Sequence, residues 1–411
     1  MPRRRSHRLT VATTTAGLGG LALTLAACQA GPTDNGCLVT RQIVLGGTTP
    51  LPLAPEVRVD RVGAGLVVLG SDGSAVRWTA IDAAGTVAAE QAYALPPETI
   101  RASYAMAGVD APGDRVIVGV LAPAANGSDA ELRFVAALAD GSPAPGPGDP
   151  VATFSGGAGD PPLIAMGTSA SGMYAGAAWI DSQSGLPTYV MVDGQGQVVG
   201  GEPVALEDQL ASSYTCLGFA PGKQELTVSY LRGTDDPMFG PSWLIDDIAA
   251  DGTVSTLRLN VASANGVMSC ARAALYNPPV AGASPEYAIA WQDTSGSWLS
   301  LYLGPELGMM VNSYPFASST DFGGPDTQPP IAGLAAFGND FGVLFARPHS
   351  VELWRLDRSG KRRAGTLLLP SLQGDVQTVS AVTSPGLLSS TYADLTGAGT
   401  GRRLVVDAAC Y

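Results

Sequence analysis

A turn signal that returns at nearly constant spacing constrains this chain more than any other feature. Short apolar runs lead into glycine turns at Gly85, Gly141, Gly196, Gly252, Gly308 and Gly360, in steps of 52 to 56 residues. Five of these turns carry Asp; the fifth, Gly304-Pro305-Glu306-Leu307-Gly308, does not. Both residue types have a local reason to be there. Asp bonds its own backbone, and Gly supplies the positive φ that a tight hairpin needs. A repeat of this length implies an array of supersecondary units, each covering its apolar faces with its neighbours.

The runs ahead of the turns predict strands at Val76–Ile81, Leu132–Leu138, Tyr189–Val192, Trp243–Ile245, Leu299–Leu303 and Val351–Leu356. A second apolar run usually precedes each, as in Gly65–Leu69, Arg115–Val120, Tyr287–Trp291 and Gly342–Phe345. A third and shorter one lies before that, including Ser103–Gly108, Thr215–Phe219 and Cys270–Leu275. With the segment after the turn, each unit has four strands and no sustained helical periodicity. Repeated four-stranded units predict an all-β chain, a seven-bladed β-propeller. The visible turns account for six blades. The C-terminal run Arg403–Asp407 matches the strands before those turns but has no outer partner after it, while Cys37–Leu45 stands unassigned before the first full unit. The N-terminal strand is therefore expected to complete the last blade and close the ring, removing two open sheet edges.

The cysteines fit this closure. Besides Cys28 there are four, Cys37, Cys216, Cys270 and Cys410, which allow three pairings. Cys37 and Cys410 lie at matching ends of the two strands that would be neighbours in the closing blade. Cys216 and Cys270 are one repeat apart, each in the first strand of its unit, where adjacent inner strands meet near the axis. The expected bridges are Cys37–Cys410 and Cys216–Cys270. A zinc site is disfavoured by the wide scatter of the thiols and by the single histidine beyond residue 7, His349.

The first 27 residues stand outside the repeat. Met1–Arg8 carries four arginines, an apolar run follows from Leu9 to Ala27, and the segment ends in Leu25-Ala26-Ala27-Cys28. This order resembles the lipobox signal peptide of bacterial lipoproteins, the alternatives being an ordinary signal or a single membrane anchor. The resemblance implies cleavage before Cys28, lipidation of its thiol, a short tether over 28–36 and one propeller domain over 37–411. Ser6-His7-Arg8 follows the arginine run where twin-arginine signals carry an apolar pair, so general secretion is expected. Gln29 departs from the aspartate associated with inner-membrane retention, which favours the outer membrane in a cell with two. Cleavage would remove four arginines and no acids from a chain of formal charge −13. That balance argues against a nucleic-acid partner and against electrostatic binding to anionic lipid.

Few residues point to chemistry. Asp82-Ala83-Ala84-Gly85 and Asp357-Arg358-Ser359-Gly360-Lys361 resemble the turns of quinone-dependent dehydrogenase-type propellers, but without the Thr before Gly and the Trp after it; no cofactor is implied. Ser71-Asp72-Gly73-Ser74 and Asp293-Thr294-Ser295-Gly296-Ser297-Trp298 are similar to fragments of the Asp-box turns of sialidase-like propellers. The three clustered arginines of a sialidase are not apparent. The pairs Asp235-Asp236 and Asp246-Asp247 are weighed as calcium ligands against solvated turn acids, with the turn reading preferred. His349 and Asn126 are expected in turns.

Two functions remain. One is an extracytoplasmic, lipid-anchored binding or scaffold module for a protein, peptide or glycan. The other is a glycan-directed hydrolase using carboxylates at the channel mouth, with an acid pair facing across roughly 5 to 9 Å. Tyr104, Tyr214 and Met268, near the starts of inner strands, form a candidate binding rim, weighed against plain packing at the axis.

Overall fold

The structure, a computed structural model, describes residues 36–45, 51–52, 56–138, 141–144, 148–233, 241–260, 267–277, 284–302, 310–370, 376–384, 387–397 and 400–411. The leader, Cys28, the tether up to residue 35, Asp235-Asp236 and the Gly308 turn lie outside these residues. Strands β1 (Cys37–Leu45) and β2 (Leu51–Pro52) come first in the chain. Six four-stranded antiparallel sheets follow, each running from an inner to an outer strand. Blade 1 is β3 (Glu56–Val62), β4 (Gly65–Ser71), β5 (Ala75–Ile81) and β6 (Gln91–Ala94); blade 2 is β7 (Arg101–Ala107), β8 (Arg115–Pro123), β9 (Ala130–Ala137) and β10 (Ala152–Phe154). Blade 3 is β11 (Ala165–Thr168), β12 (Ala175–Ile180), β13 (Pro187–Val192) and β14 (Val198–Ala205); blade 4 is β15 (Tyr214–Phe219), β16 (Leu226–Arg232), β17 (Ser242–Ile248) and β18 (Val254–Asn260). Blade 5 is β19 (Val267–Tyr276), β20 (Glu286–Asp293), β21 (Gly296–Tyr302) and β22 (Met310–Ser318); blade 6 is β23 (Ile331–Phe337), β24 (Asp340–Arg347), β25 (Ser350–Leu356) and β26 (Leu367–Leu369).

Blade 7 is made from both ends of the chain. Strands β27 (Val376–Ser384), β28 (Leu387–Gly397) and β29 (Thr400–Cys410) supply its inner three, and β1 pairs antiparallel with β29 as the outermost. The expected closure is therefore observed, in the register Cys37↔Cys410 to Leu45↔Arg403. β2 adds a short second pairing to β29, which the sequence did not announce. The bridge Cys37–Cys410 spans Cα atoms 4.0 Å apart, and Arg41 and Asp407 form an ion pair at 2.6 Å along the same strands. The Tyr411 amide donates to the Gly36 carbonyl just beyond the bridge. Inner strand β27 packs against β3, so blade 7 meets blade 1 and the ring is complete.

The repeating turns occupy one structural position, between the third and fourth strands. In blades 1, 3 and 6 the carboxylate of Asp82, Asp193 or Asp357 accepts from backbone amides two to four residues on, at 2.7 to 3.0 Å. Gly85, Gly196 and Gly360 donate back to the carbonyl of that same Asp, each with φ between 72° and 86°. Blades 2 and 4 make the same turn from Leu138 and Ala249, with Asp moved next to the glycine. The left-handed glycine is thus the constant element and Asp an adaptable cap.

Among the described residues the core consists of seven apolar clusters, one in each seam between adjacent blades. The seam between blades 1 and 2, for instance, joins Leu69 and Trp78 to Tyr104 and Val118. Because successive side chains of a strand point to opposite faces, every central strand feeds two seams. In β17, Trp243 and Ile245 enter the seam with blade 5, while Leu244 and Ile248 enter the seam with blade 3. This explains why such strands read as unbroken apolar runs: both faces are covered. No helix among the described residues is long and apolar enough to cross a membrane.

Candidate functional site in the cleft between blades 3 and 4

Strands alternate in direction, so the repeating glycine turns share one face of the ring. The hairpins between second and third strands, and the crossovers from blade to blade, share the other. On that second face an open cleft of about 770 Å³ lies between blades 3 and 4. Its apolar walls are Leu186 in a blade 3 hairpin, Leu206 in the crossover from β14 to β15, and Leu244 of β17. Glu207 and Asp208 of the crossover and Arg232 and Arg258 of blade 4 supply two charges of each sign.

The crossover is tied down at several points. The Leu206 amide donates to the Pro187 carbonyl at 2.8 Å, and the Tyr214 hydroxyl donates to the Gln209 carbonyl at 2.7 Å. Glu207 pairs with Arg232 at 3.3 Å. The other oxygen of Glu207 lies 3.3 Å from the Tyr230 hydroxyl, which also donates to Asp246 at 2.8 Å. Tyr214 stands edge-on to Tyr230. One tyrosine proton thus serves two carboxylates, which cannot both be satisfied while both are ionised. Burial pushes Asp246 up to about 6, opposed by the Thr256 and Tyr230 hydroxyls and reinforced by the charges of Glu207 and Asp247. Arg258 differs from Arg232: it is exposed, with no hydrogen bond or ion pair among the described residues.

Asp246 and Asp247 correct the sequence reading. They are neither turn acids nor joint calcium ligands, because both are buried in the middle of β17 and face opposite seams. Asp247 accepts from Thr227 at 2.5 Å, from the Tyr287 hydroxyl, and from the Lys223 amide at 3.3 Å; Lys223 in turn pairs with Glu286 at 2.8 Å. Strand alternation defeats any shared metal site between neighbours in sequence. No group of three or more potential metal ligands occurs among the described residues.

The candidate rim residues lie on three inner strands, β7, β15 and β19. Tyr104 is 5 % exposed and packs in the seam between blades 1 and 2. Tyr214 is half-buried beside the cleft crossover, and Met268 lies on β19, with its side chain outside the described set. The expected bridge Cys216–Cys270 is present between inner strands β15 and β19, with Cα atoms 5.2 Å apart. His349 and Asn126 lie in turns as expected. The Asp-box-like fragments form second-to-third-strand hairpins, where Asp72 and Asp293 each accept from two amides and a serine hydroxyl. Glu207, Arg232 and Arg258 carried no sequence signal, since they come from three segments of unremarkable composition.

No family model matches the sequence, and no curated protein does. Among solved structures the chain is similar to the β-propeller domain of Nup133 from Vanderwaltozyma polyspora, with 10% identity, 90% of this chain and 98% of that one covered, and a TM-score of 0.50. It is also similar to the β-propeller domain of the Trilobed protease from Pyrococcus furiosus, with 9% identity, coverage of 86% and 94%, and a TM-score of 0.45. A prolyl endopeptidase matches 87% of this chain at 11% identity and a TM-score of 0.43, and the chain spans 53% of that protein's length. At 10% identity the likeness to the Nup133 domain establishes the propeller fold alone.

Proposed function

We propose that this chain is an exported, lipid-anchored binding module that takes a short segment of a protein partner into the cleft between blades 3 and 4. The observation that carries this reading is the unpaired Arg258 at the mouth of a mixed apolar and charged cleft. Support comes from the apolar shoulder beside it. Val204 on β14 and Leu210 on the crossover are 46% and 69% exposed, so two large aliphatic groups stand in water on the strand and crossover that border the cleft. An aliphatic side chain of the partner meets this shoulder, and an acidic group meets Arg258. Membrane attachment rests on the lipobox resemblance at Cys28, and an outer-membrane position on Gln29. The glycan-directed hydrolase alternative gains nothing from Glu207 and Asp246, because Asp246 is fully buried behind Tyr230 and out of reach of a substrate.

A photo-crosslinking residue in place of Leu210 should trap the partner on intact cells, and Arg258→Glu in the same protein should remove the adduct without lowering the melting temperature. The same crosslinker at Leu368, exposed on blade 6, serves as control. Equal adducts from both positions, or an adduct indifferent to Arg258→Glu, would exclude the cleft.

A further inference from the structure

The geometry points to a second ligand site, in the central channel: a small oxyanion bound by Arg272 on the inner strand of blade 5. Arg272 stands in the middle of β19, far from either end of the strand, yet its side chain is exposed. An inner strand borders only its own second strand, the neighbouring seams and the axis, so the solvent that Arg272 meets is channel solvent. It makes no hydrogen bond or ion pair among the described residues. Burial alone lowers its pKa, with no carboxylate acting in the other direction. The guanidinium is thus reached by channel solvent yet partly desolvated by the channel walls, and it has no counter-ion among the described residues. Such a charge is costly unless something neutralises it. Arg58, on the inner strand of blade 1, shows the alternative, since Asp60 neutralises it at 2.6 Å.

The backbone around Arg272 is specialised. β19 has two register shifts, Val267/Ser269 and Ser269/Arg272, and the second ends at Arg272 itself. β15 has one between Thr215 and Gly218. Bulges of this kind re-aim a side chain and recur beside functional sites. Between them lies the Cys216–Cys270 bridge, and Cys216 has φ 57°, the one positive φ of a non-glycine residue among those described. Strain of this order persists only where surrounding structure holds it. Two bulged inner strands, locked by a disulfide, thus present one uncompensated guanidinium to the channel.

The ligand class follows from the donor and from the space. A guanidinium matches the paired oxygens of a carboxylate or phosphate group. The channel is constricted on the opposite side, where Thr168 of β11 reaches past blade 2 to donate to Asp60 of β3 at 2.7 Å. This favours a small ion over a polymer. The site is separate from the cleft, and its failure would leave the cleft reading untouched.

Thermal unfolding of the full chain in inorganic phosphate, acetate or chloride, at matched ionic strength, tests the site. Phosphate or acetate should raise the melting temperature along a saturating curve, and the ion that saturates at the lower concentration identifies the class. Arg272→Met should abolish the saturable rise and melt higher than the parent in chloride, because the uncompensated charge is gone. Arg272→Lys keeps the charge but loses the paired donors, and should need about tenfold more anion. Arg258→Met should leave the curve unchanged. Line broadening of the phosphate ³¹P signal by the parent but not by Arg272→Met gives a readout independent of stability. A linear rise shared by parent and Arg272→Met would mark general salting effects; that result, or no rise beyond chloride, overturns the proposal.

Discussion

Removing the ring-closing disulfide should destabilise this protein more than removing the bridge near the axis, and the difference can be worked out beforehand. The two bridges close loops with sequence separations of 373 and 54 residues. In the chain-entropy model these correspond to about 6 and about 4 kcal/mol of denatured-state constraint at 25 °C. The folded state changes the balance further. At the closing blade, β1 keeps its register with β29 and its Arg41–Asp407 ion pair when the thiols are gone. At the axis, Cys216 is held at φ 57°, and freeing it returns about 1 to 3 kcal/mol. Cys37→Ala with Cys410→Ala should therefore lower the unfolding free energy by roughly 4 to 6 kcal/mol, and Cys216→Ala with Cys270→Ala by roughly 1 to 3. Guanidinium unfolding of the oxidised parent and both double variants gives the order, and the denaturant slope should rise most for the first variant as its denatured chain expands. Equal losses, or the reverse order, would refute the account. So would a non-reducing peptide map joining Cys37 to Cys216 or Cys270.

The buried acid beside the cleft makes a pH-dependent prediction. Asp246, raised to about 6 in the fold, binds its proton more tightly there than in the unfolded chain, so its contribution to stability grows as pH falls through 6 and is lost above it. Asp246→Asn should melt above the parent at pH 8, by an amount on the order of 2 to 3 kcal/mol, and the gap should close towards pH 4; a gap independent of pH would contradict the burial argument. Gly360→Ala should be worse than Gly338→Ala in thermal melts. Both have positive φ, but an added Cβ at 360 comes within 2.5 Å of Tyr314 whereas that at 338 meets nothing within 4 Å; the strain common to both is about 1 to 2 kcal/mol, and equal costs would show that the contact relaxes freely. Cys28→Ser should abolish incorporation of a clickable fatty acid into the chain recovered from labelled cells, and label retained by the variant would remove the lipid anchor.

The sequence by itself determined the ring. Its blade number, the place of its turns, the exchange of β1 into the last blade and both disulfides follow from features that repeat along the chain: a glycine turn every 52 to 56 residues, apolar runs between, and thiols at equivalent points of the units. Local turn chemistry and strand length are encoded locally, and repetition makes a weak signal readable several times over. Only the tertiary structure decided where polar groups meet. Asp246 and Asp247 look like a pair in the sequence, yet strand alternation sends one to Tyr230 and the other to Tyr287 in different seams. Glu207, Arg232 and Arg258 share a cleft although they come from a crossover and two strands of blade 4. Arg272 is one exposed residue among many in the sequence, and becomes a channel cation because bulged strands and the Cys216–Cys270 bridge aim it at the axis. Burial and pairing are properties of the space between blades, and no single repeat contains that space.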